Sequence, residues 1–176
     1  MDRNDVAFVI GHNQVKQGYY SPIIKKTEYE FNTQVGNILC KDFDIYYRKG
    51  GIGYISQMEE LAKQINPKNY KFVISLHFNM FDGESNKKGH GCETIIYPGN
   101  QKSRNLSNKI LTNISTDFDI RNRGVKEHGK GERGYGFLSK MRANAIILEP
   151  FFGDESEAKK FSNIDKYTRS IIKSLL

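Results

Sequence analysis

Three short apolar runs in this 176-residue chain each end in a residue that carries chemistry, and that pattern restricts the fold more than any other feature. The central run is Phe72-Val73-Ile74-Ser75-Leu76, preceded by Pro67, Lys68 and Asn69 and followed by His77. A strand that is apolar on both faces belongs inside a sheet covered by helices on each side. Val6-Ala7-Phe8-Val9-Ile10 ends in Gly11-His12, and Ala145-Ile146-Ile147-Leu148 ends in Glu149. In open α/β sheets, ligands bind just beyond the carboxyl ends of the strands. A lone histidine there is ordinarily a core residue hydrogen-bonded to backbone. Three strands that end alike point to a shared site.

The rest of the chain supplies the covering helices. After a polar loop over residues 13–26, Thr27-Glu28-Tyr29-Glu30 reads as a capping box, with Thr27 as N-cap and Glu30 reaching back to it. The helix it opens carries Phe31, Val35, Ile38 and Leu39 on one stripe and runs to about Cys40. At ~100° per residue, Glu28 falls beside that stripe and Glu30 on the solvated side. The cap accounts for Glu30, whereas Glu28 needs a partner. Asp44-Ile45-Tyr46-Tyr47 is a second strand, and Ser56-Gln57-Met58-Glu59 reads as another capping box. Its helix has Ile55, Met58, Leu61, Ala62 and Ile65 inside and stops at Asn66-Pro67. Residues 81–91 form a mixed loop, and Cys92 to Tyr97 alternates as a strand. A helix follows with Leu106, Ile110, Leu111 and Ile114 inside. The glycine-rich, basic residues 121–135 read as a surface loop around a short strand at best, and Phe137-Leu138 as a weak strand. Residues 154–157 cap a short helix, and Asp165 caps the last one, with Tyr167, Ile171 and Leu175 inside. The order predicts an α/β protein: one domain over residues 1–176, with a mostly parallel twisted sheet and helices on both faces.

A net charge of +7 suits an anionic partner, either nucleic acid or an anionic cell wall. The cations are scattered and no nucleic-acid-binding signature is present, so nucleic acid is not expected as the partner. Cys40 and Cys92 read as reduced, mostly buried thiols. No signal peptide is visible and no apolar run approaches membrane-spanning length. The reading is a chain made in the cytoplasm, or one whose export signal lies outside this sequence.

The constellation is therefore His12, Glu28, His77 and Glu149. Two imidazoles and a carboxylate are the donor set of catalytic zinc sites, which keep a fourth position open. Two buried histidines beside a salt-bridged glutamate would leave the same residues, and no short metal motif decides between them. A carboxylate directly after four apolar residues, as at Glu149, is either paired or has a raised pKa. A base near neutral is what water activation needs.

These residues resemble the zinc-dependent N-acetylmuramoyl-L-alanine amidases, the peptidoglycan hydrolases of autolysins and phage endolysins. Ile10-Gly11-His12 resembles the family's first ligand motif, and Thr27-Glu28-Tyr29-Glu30-Phe31-Asn32 the helix start that bears the second. Ser75-Leu76-His77-Phe78-Asn79 is similar to Ser-Leu-His-x-Asn, which holds the third ligand. Ile147-Leu148-Glu149-Pro150-Phe151-Phe152 resembles the segment with the catalytic glutamate. Ile10 and Asn13 replace the Pro and Gly that often flank Gly-His, and Tyr29 replaces a common lysine; no ligand is lost.

The resemblance implies one zinc per chain held by His12, Glu28 and His77, with Glu149 as base. It also implies cleavage of the amide between N-acetylmuramic acid and the L-alanine of the stem peptide. The absence of a signal peptide and the compact size resemble a phage lysin catalytic domain, expected as a monomer acting on the cell wall, with wall-binding modules absent or cut away. Asn79, Lys126 and Arg133 are candidate substrate contacts, although a turn residue and a solvated basic loop explain them equally well. Lys130 belongs to that same loop. His90 and His128 read as solvent-exposed, and Glu93 as a strand-edge charge. Two rivals are a zinc carboxypeptidase-like peptidase, which needs an arginine clamp, and a non-catalytic wall-associated module of the same fold.

Overall fold

A computed structural model describes residues 1–2, 4–81 and 90–176. The apolar runs are its inner strands. The sheet has six strands: β1 (Val6–Ile10), β4 (Asp44–Tyr47), β5 (Phe72–Leu76), β6 (Cys92–Ile96), β7 (Asn122–Glu127) and β8 (Asn144–Glu149), in the order β4-β1-β5-β8-β6-β7. Pairing is parallel except between β6 and β8. The residues of β1 and most of β5 and β8 are buried on both sides, which is why these strands read as unbroken apolar runs.

Alternate residues divide between two cores. Val6, Phe8, Ile10, Ile74, Leu76, Ile146 and Leu148 pack on one face, against α1 (Glu28–Leu39), α3 (Gln101–Phe118) and α5 (Ile164–Leu175). Ala7, Val9, Val73, Ile95, Ala145 and Ile147 pack on the other, against α2 (Tyr54–Ile65) and α4 (Tyr135–Lys140). Both faces are covered, and the chain has the α/β architecture that the sequence indicates. Within the described residues, no helix is long and apolar enough to cross a membrane.

Local departures have local causes. The polar loop over residues 13–26 holds a small antiparallel pair, β2 (Tyr20–Ser21) with β3 (Lys26–Thr27). α2 starts at Tyr54, behind Gly53 and without a side-chain cap, so Ser56 is already inside the helix and Ile55 is exposed. Residues 122–127 form a full strand along β6, and Phe137-Leu138 lies in α4, where both side chains pack into the α2 core. Asn163, not Asp165, caps α5, its Oδ1 accepting from Lys166 N at 2.9 Å. A 3-10 helix, Ser156–Ser162, stands where the short helix is expected, without a side-chain cap. Cys92 is buried but Cys40 is exposed, and neither is in a disulfide. Most of the loop expected over residues 81–91 lies outside the described residues.

Candidate active site

Strand register brings the strand-end residues together. Ile10 pairs with Leu76, and Leu76 with Leu148. Parallel neighbours lie ~4.8 Å apart, so the residues that follow them emerge side by side. Gly11 N donates to Leu76 O at 2.9 Å, and His77 N to Leu148 O at 3.0 Å. His12 then turns inward with φ +64°, a left-handed conformation that few non-glycine residues adopt and that clusters at functional sites.

Glu28 comes to this rim from the first turn of α1. The capping box is formed: Glu30 N donates to Thr27 Oγ1 at 3.2 Å, and Thr27 N to Glu30 Oε2 at 2.8 Å. That fixes the helix start and leaves Glu28, 2% exposed, pointing at the strand ends. Its Oε1 lies 3.2 Å from His12 Nε2 and accepts from Tyr19 N; its Oε2 lies 3.2 Å from His77 Nδ1 and accepts from Phe78 N. Burial alone would push this carboxyl up. Hydrogen bonds and charge from His12 and His77 outweigh burial and hold it well below the usual range. Burial lowers the pKa of His77 despite Glu28, which favours the neutral imidazole that ligates metals.

One donor atom from each of His12, Glu28 and His77 lies within 4.8 Å of the others, close enough for a single metal ion. The backbone around them has no room for side chains. A Cβ at Gly18, where φ is +78°, would sit 2.8 Å from Glu28 Oε1 and 2.7 Å from His12 Cδ2. One at Gly11 would sit 2.7 Å from His77 Nε2. Glycine is what lets the loop and the strand end close on the donors.

Beside them stands Glu149, also 2% exposed. Burial pushes its pKa up to about 7 against the pull of Arg133, with Glu93 and Glu28 pushing the same way as burial. Arg133 grips it with two bonds, Nη1 to Oε1 at 2.8 Å and Nη2 to Oε2 at 3.0 Å. Arg133 is itself steadied by His128, which is partly buried; its Nδ1 lies 2.8 Å from Arg133 O.

Glu93 pairs in register with Glu149 across the antiparallel junction. It is a buried residue of an interior strand, not an edge charge. Asn79 Nδ2 and Arg123 Nε each donate to it at 2.8 Å. Asn79 therefore acts within this network, and Lys126 is exposed on β7; neither lines the cavity that Arg133 does. His90 is exposed, with Nδ1 3.7 Å from a Glu155 carboxylate oxygen.

The cavity holds about 580 Å³, a size typical of ligand sites, between His12, Glu28, His77, Arg133, Glu149 and Arg48. Arg48 escaped the sequence reading although it directly follows β4, and the rule that singled out His77 would have found it. Three donors placed to hold a metal ion, next to a carboxylate poised near neutral, are equipped to hydrolyse an amide.

A family model described as N-acetylmuramoyl-L-alanine amidase matches residues 6–176. The chain belongs to this family. It is an amidase that acts on peptidoglycan, at the bond between N-acetylmuramic acid and L-alanine. That sets aside the carboxypeptidase-like and non-catalytic alternatives. Solved structures share the fold. An N-acetylmuramoyl-L-alanine amidase from Clostridium difficile 630 is 20% identical over 98% of this chain and 95% of its own, with a TM-score of 0.76. The catalytic domain of an endolysin targeting Clostridium difficile is 20% identical over 97% and 96%, at 0.78. An amidase of Nostoc punctiforme is 18% identical over 99% of both chains, at 0.68. None of the curated proteins compared matches the chain.

Proposed function

We propose that His12, Glu28 and His77 hold one zinc ion per chain and that Glu149 is the catalytic base. What supports this is one juxtaposition: three metal donors within 4.8 Å, beside a buried carboxylate whose pKa is about 7. A zinc ion at such a donor set supplies Lewis acidity toward a carbonyl oxygen and lowers the pKa of a water from ~15.7 toward ~7.

The chain's own groups do the rest. Glu149 takes the proton of the attacking water and delivers it to the leaving nitrogen. The carbonyl carbon gains an oxygen as its bond to nitrogen breaks, giving a lactyl carboxylate and the free amine of L-alanine. The two-point grip of Arg133 fixes the carboxylate plane. Tyr19 N and Phe78 N orient Glu28, and Asn79 with Arg123 keeps the neighbouring Glu93 paired, so that it does not compete for the Glu149 proton. Met58, Ile95, Phe137 and Ile147 make the cavity wall apolar and limit bulk water. Arg133 lines the cavity beside Glu149, and Lys126, exposed on β7, adds positive charge toward an anionic wall. The unit is a single catalytic domain over residues 1–176, a monomer of the phage-endolysin type acting on the cell wall. The likeness in fold to an endolysin catalytic domain supports that last point.

Digestion of purified walls tests the reaction. New amino-terminal alanine should appear without new reducing ends; reducing ends alone would make the enzyme a glycosidase. The helix phase gives a second expectation. Glu28→Ala should lose metal and activity together, whereas Glu30→Ala should cost only part of a helix cap, with activity retained below the melting transition. Metal lost from Glu30→Ala and kept by Glu28→Ala would reverse the assignment.

A further inference from the structure

Arg133 is paired with Glu149 and Arg123 with Glu93. Among the described residues, Arg48 is a cavity cation with no carboxylate close enough to form an ion pair. Its guanidinium Nε donates to Gln57 Oε1 at 3.0 Å, and its Cζ lies 5.3 Å from the Tyr54 ring centroid. Neither Nη has a hydrogen-bond partner among the described residues.

The anchor is rigid. Gln57 is 3% exposed, its Nε2 donates to Ile52 O at 2.8 Å, and its Oε1 also accepts from Asn13 Nδ2 at 3.2 Å. One edge of the guanidinium is thus fixed and stacked while its other donors remain unused, the arrangement that suits a two-point grip on a carboxylate. Burial pulls the guanidinium below its ordinary pKa, so its charge is held at a cost that an arriving anion would offset.

Position narrows the choice of anion. Tyr47 pairs with Ile10, so the rim runs Arg48, His12, His77, Glu149, with Arg48 and the base on opposite sides of the histidines. We propose that Arg48 reads substrate specificity by binding a free carboxylate on the stem-peptide residue that follows L-alanine. The inference rests on the amidase reading. On the glycan side the lactyl carboxyl is consumed in the scissile amide and the N-acetylated sugars carry no anion, so the carboxylate comes from the peptide. Adjacent strands are ~4.8 Å apart and an extended residue spans ~3.3–3.6 Å, so a group beside the donors lies about one residue from the scissile bond.

The test uses two soluble N-acetylmuramoyl-L-alanyl dipeptides whose second residue carries either a free α-carboxylate or its amide. The wild-type kcat/KM should favour the free acid by about 10- to 100-fold, mainly through KM, as expected for a charge-assisted hydrogen-bond pair. Arg48→Gln should bring that ratio close to one and Arg48→Lys should keep part of it, with metal content unchanged in both. A wild type indifferent to the amide, or a full preference surviving in Arg48→Gln, would overturn the proposal. Calorimetric binding of both probes to the Glu149→Gln protein separates the two readings. A preference there without hydrolysis by wild type would sink the proposed reaction and leave the role of Arg48 standing; no preference would remove that role.

Discussion

Turnover should fall by ~10²–10⁴-fold when Glu149 is replaced by glutamine, the usual cost of losing a general base, while metal and substrate should still bind. Glutamine keeps the volume and the hydrogen-bonding shape but cannot take a proton. The pH profile should carry the same signature. Wild-type kcat/KM should rise with pH as Glu149 loses its proton, and the variant should lack that limb. Stability moves the other way. The ordinary value is 4.5, so between 4.5 and about 7 the folded state holds a proton that the unfolded chain has released. Stability of the metal-free wild type therefore falls as pH rises through this window, and the variant escapes the loss. The variant's melting temperature should exceed that of the wild type above pH 7, with the gap closing below pH 4.5. Metal content decides the role. Zinc lost along with activity would make Glu149 a ligand, and a rate near wild type would leave the reaction without its base.

What could be read from the sequence followed burial. β1, β5 and β8 are covered on both faces, so their sequences are apolar throughout and their polar ends stand out. Thr27 and Glu30 signal a helix start within four residues, and that was enough to give Glu28 its direction. β7 escaped because it is an edge strand with only partial burial, so Asn122, Arg123, Lys126 and Glu127 look like a basic loop. The short α4 carries too few turns to show a period, and its apolar pair fits a strand equally well. At α2 the four residues from Ser56 fit the capping motif, but the chain enters helix at Tyr54, two residues earlier. The Arg133–Glu149 pair and the Glu93–Asn79–Arg123 network depend on β6 running antiparallel to β8, and no local pattern reveals strand direction. Arg48 was missed for a different reason. It directly follows β4, so the strand-end rule reaches it, but β4 is only partly buried and its polar end does not stand out as those of β1, β5 and β8 do.

Stripping the metal should abolish hydrolysis altogether, and zinc should restore it at about one ion per chain. The loss should exceed that of any single proton-transfer mutant, since both the polarised carbonyl and the activated water depend on the ion. A readout independent of turnover comes from the packing of Glu28. This carboxylate is 2% exposed, and its two oxygens are each 3.2 Å from a histidine nitrogen. A cation that binds only the folded arrangement raises stability by mass action, about 4 kcal/mol at a thousandfold excess over Kd. Zinc should therefore raise the melting temperature of the wild type and of Glu149→Gln alike, and should leave Glu28→Ala unmoved. His77→Ala should do more harm than a lost ligand implies, because it strips a buried carboxylate of one of its two partners, and breaking a buried pair costs roughly 3–5 kcal/mol. If the stripped enzyme keeps full activity, or if zinc stabilises Glu28→Ala as much as wild type, the two histidines and Glu28 are a buried polar cluster and the hydrolytic water must be activated without them.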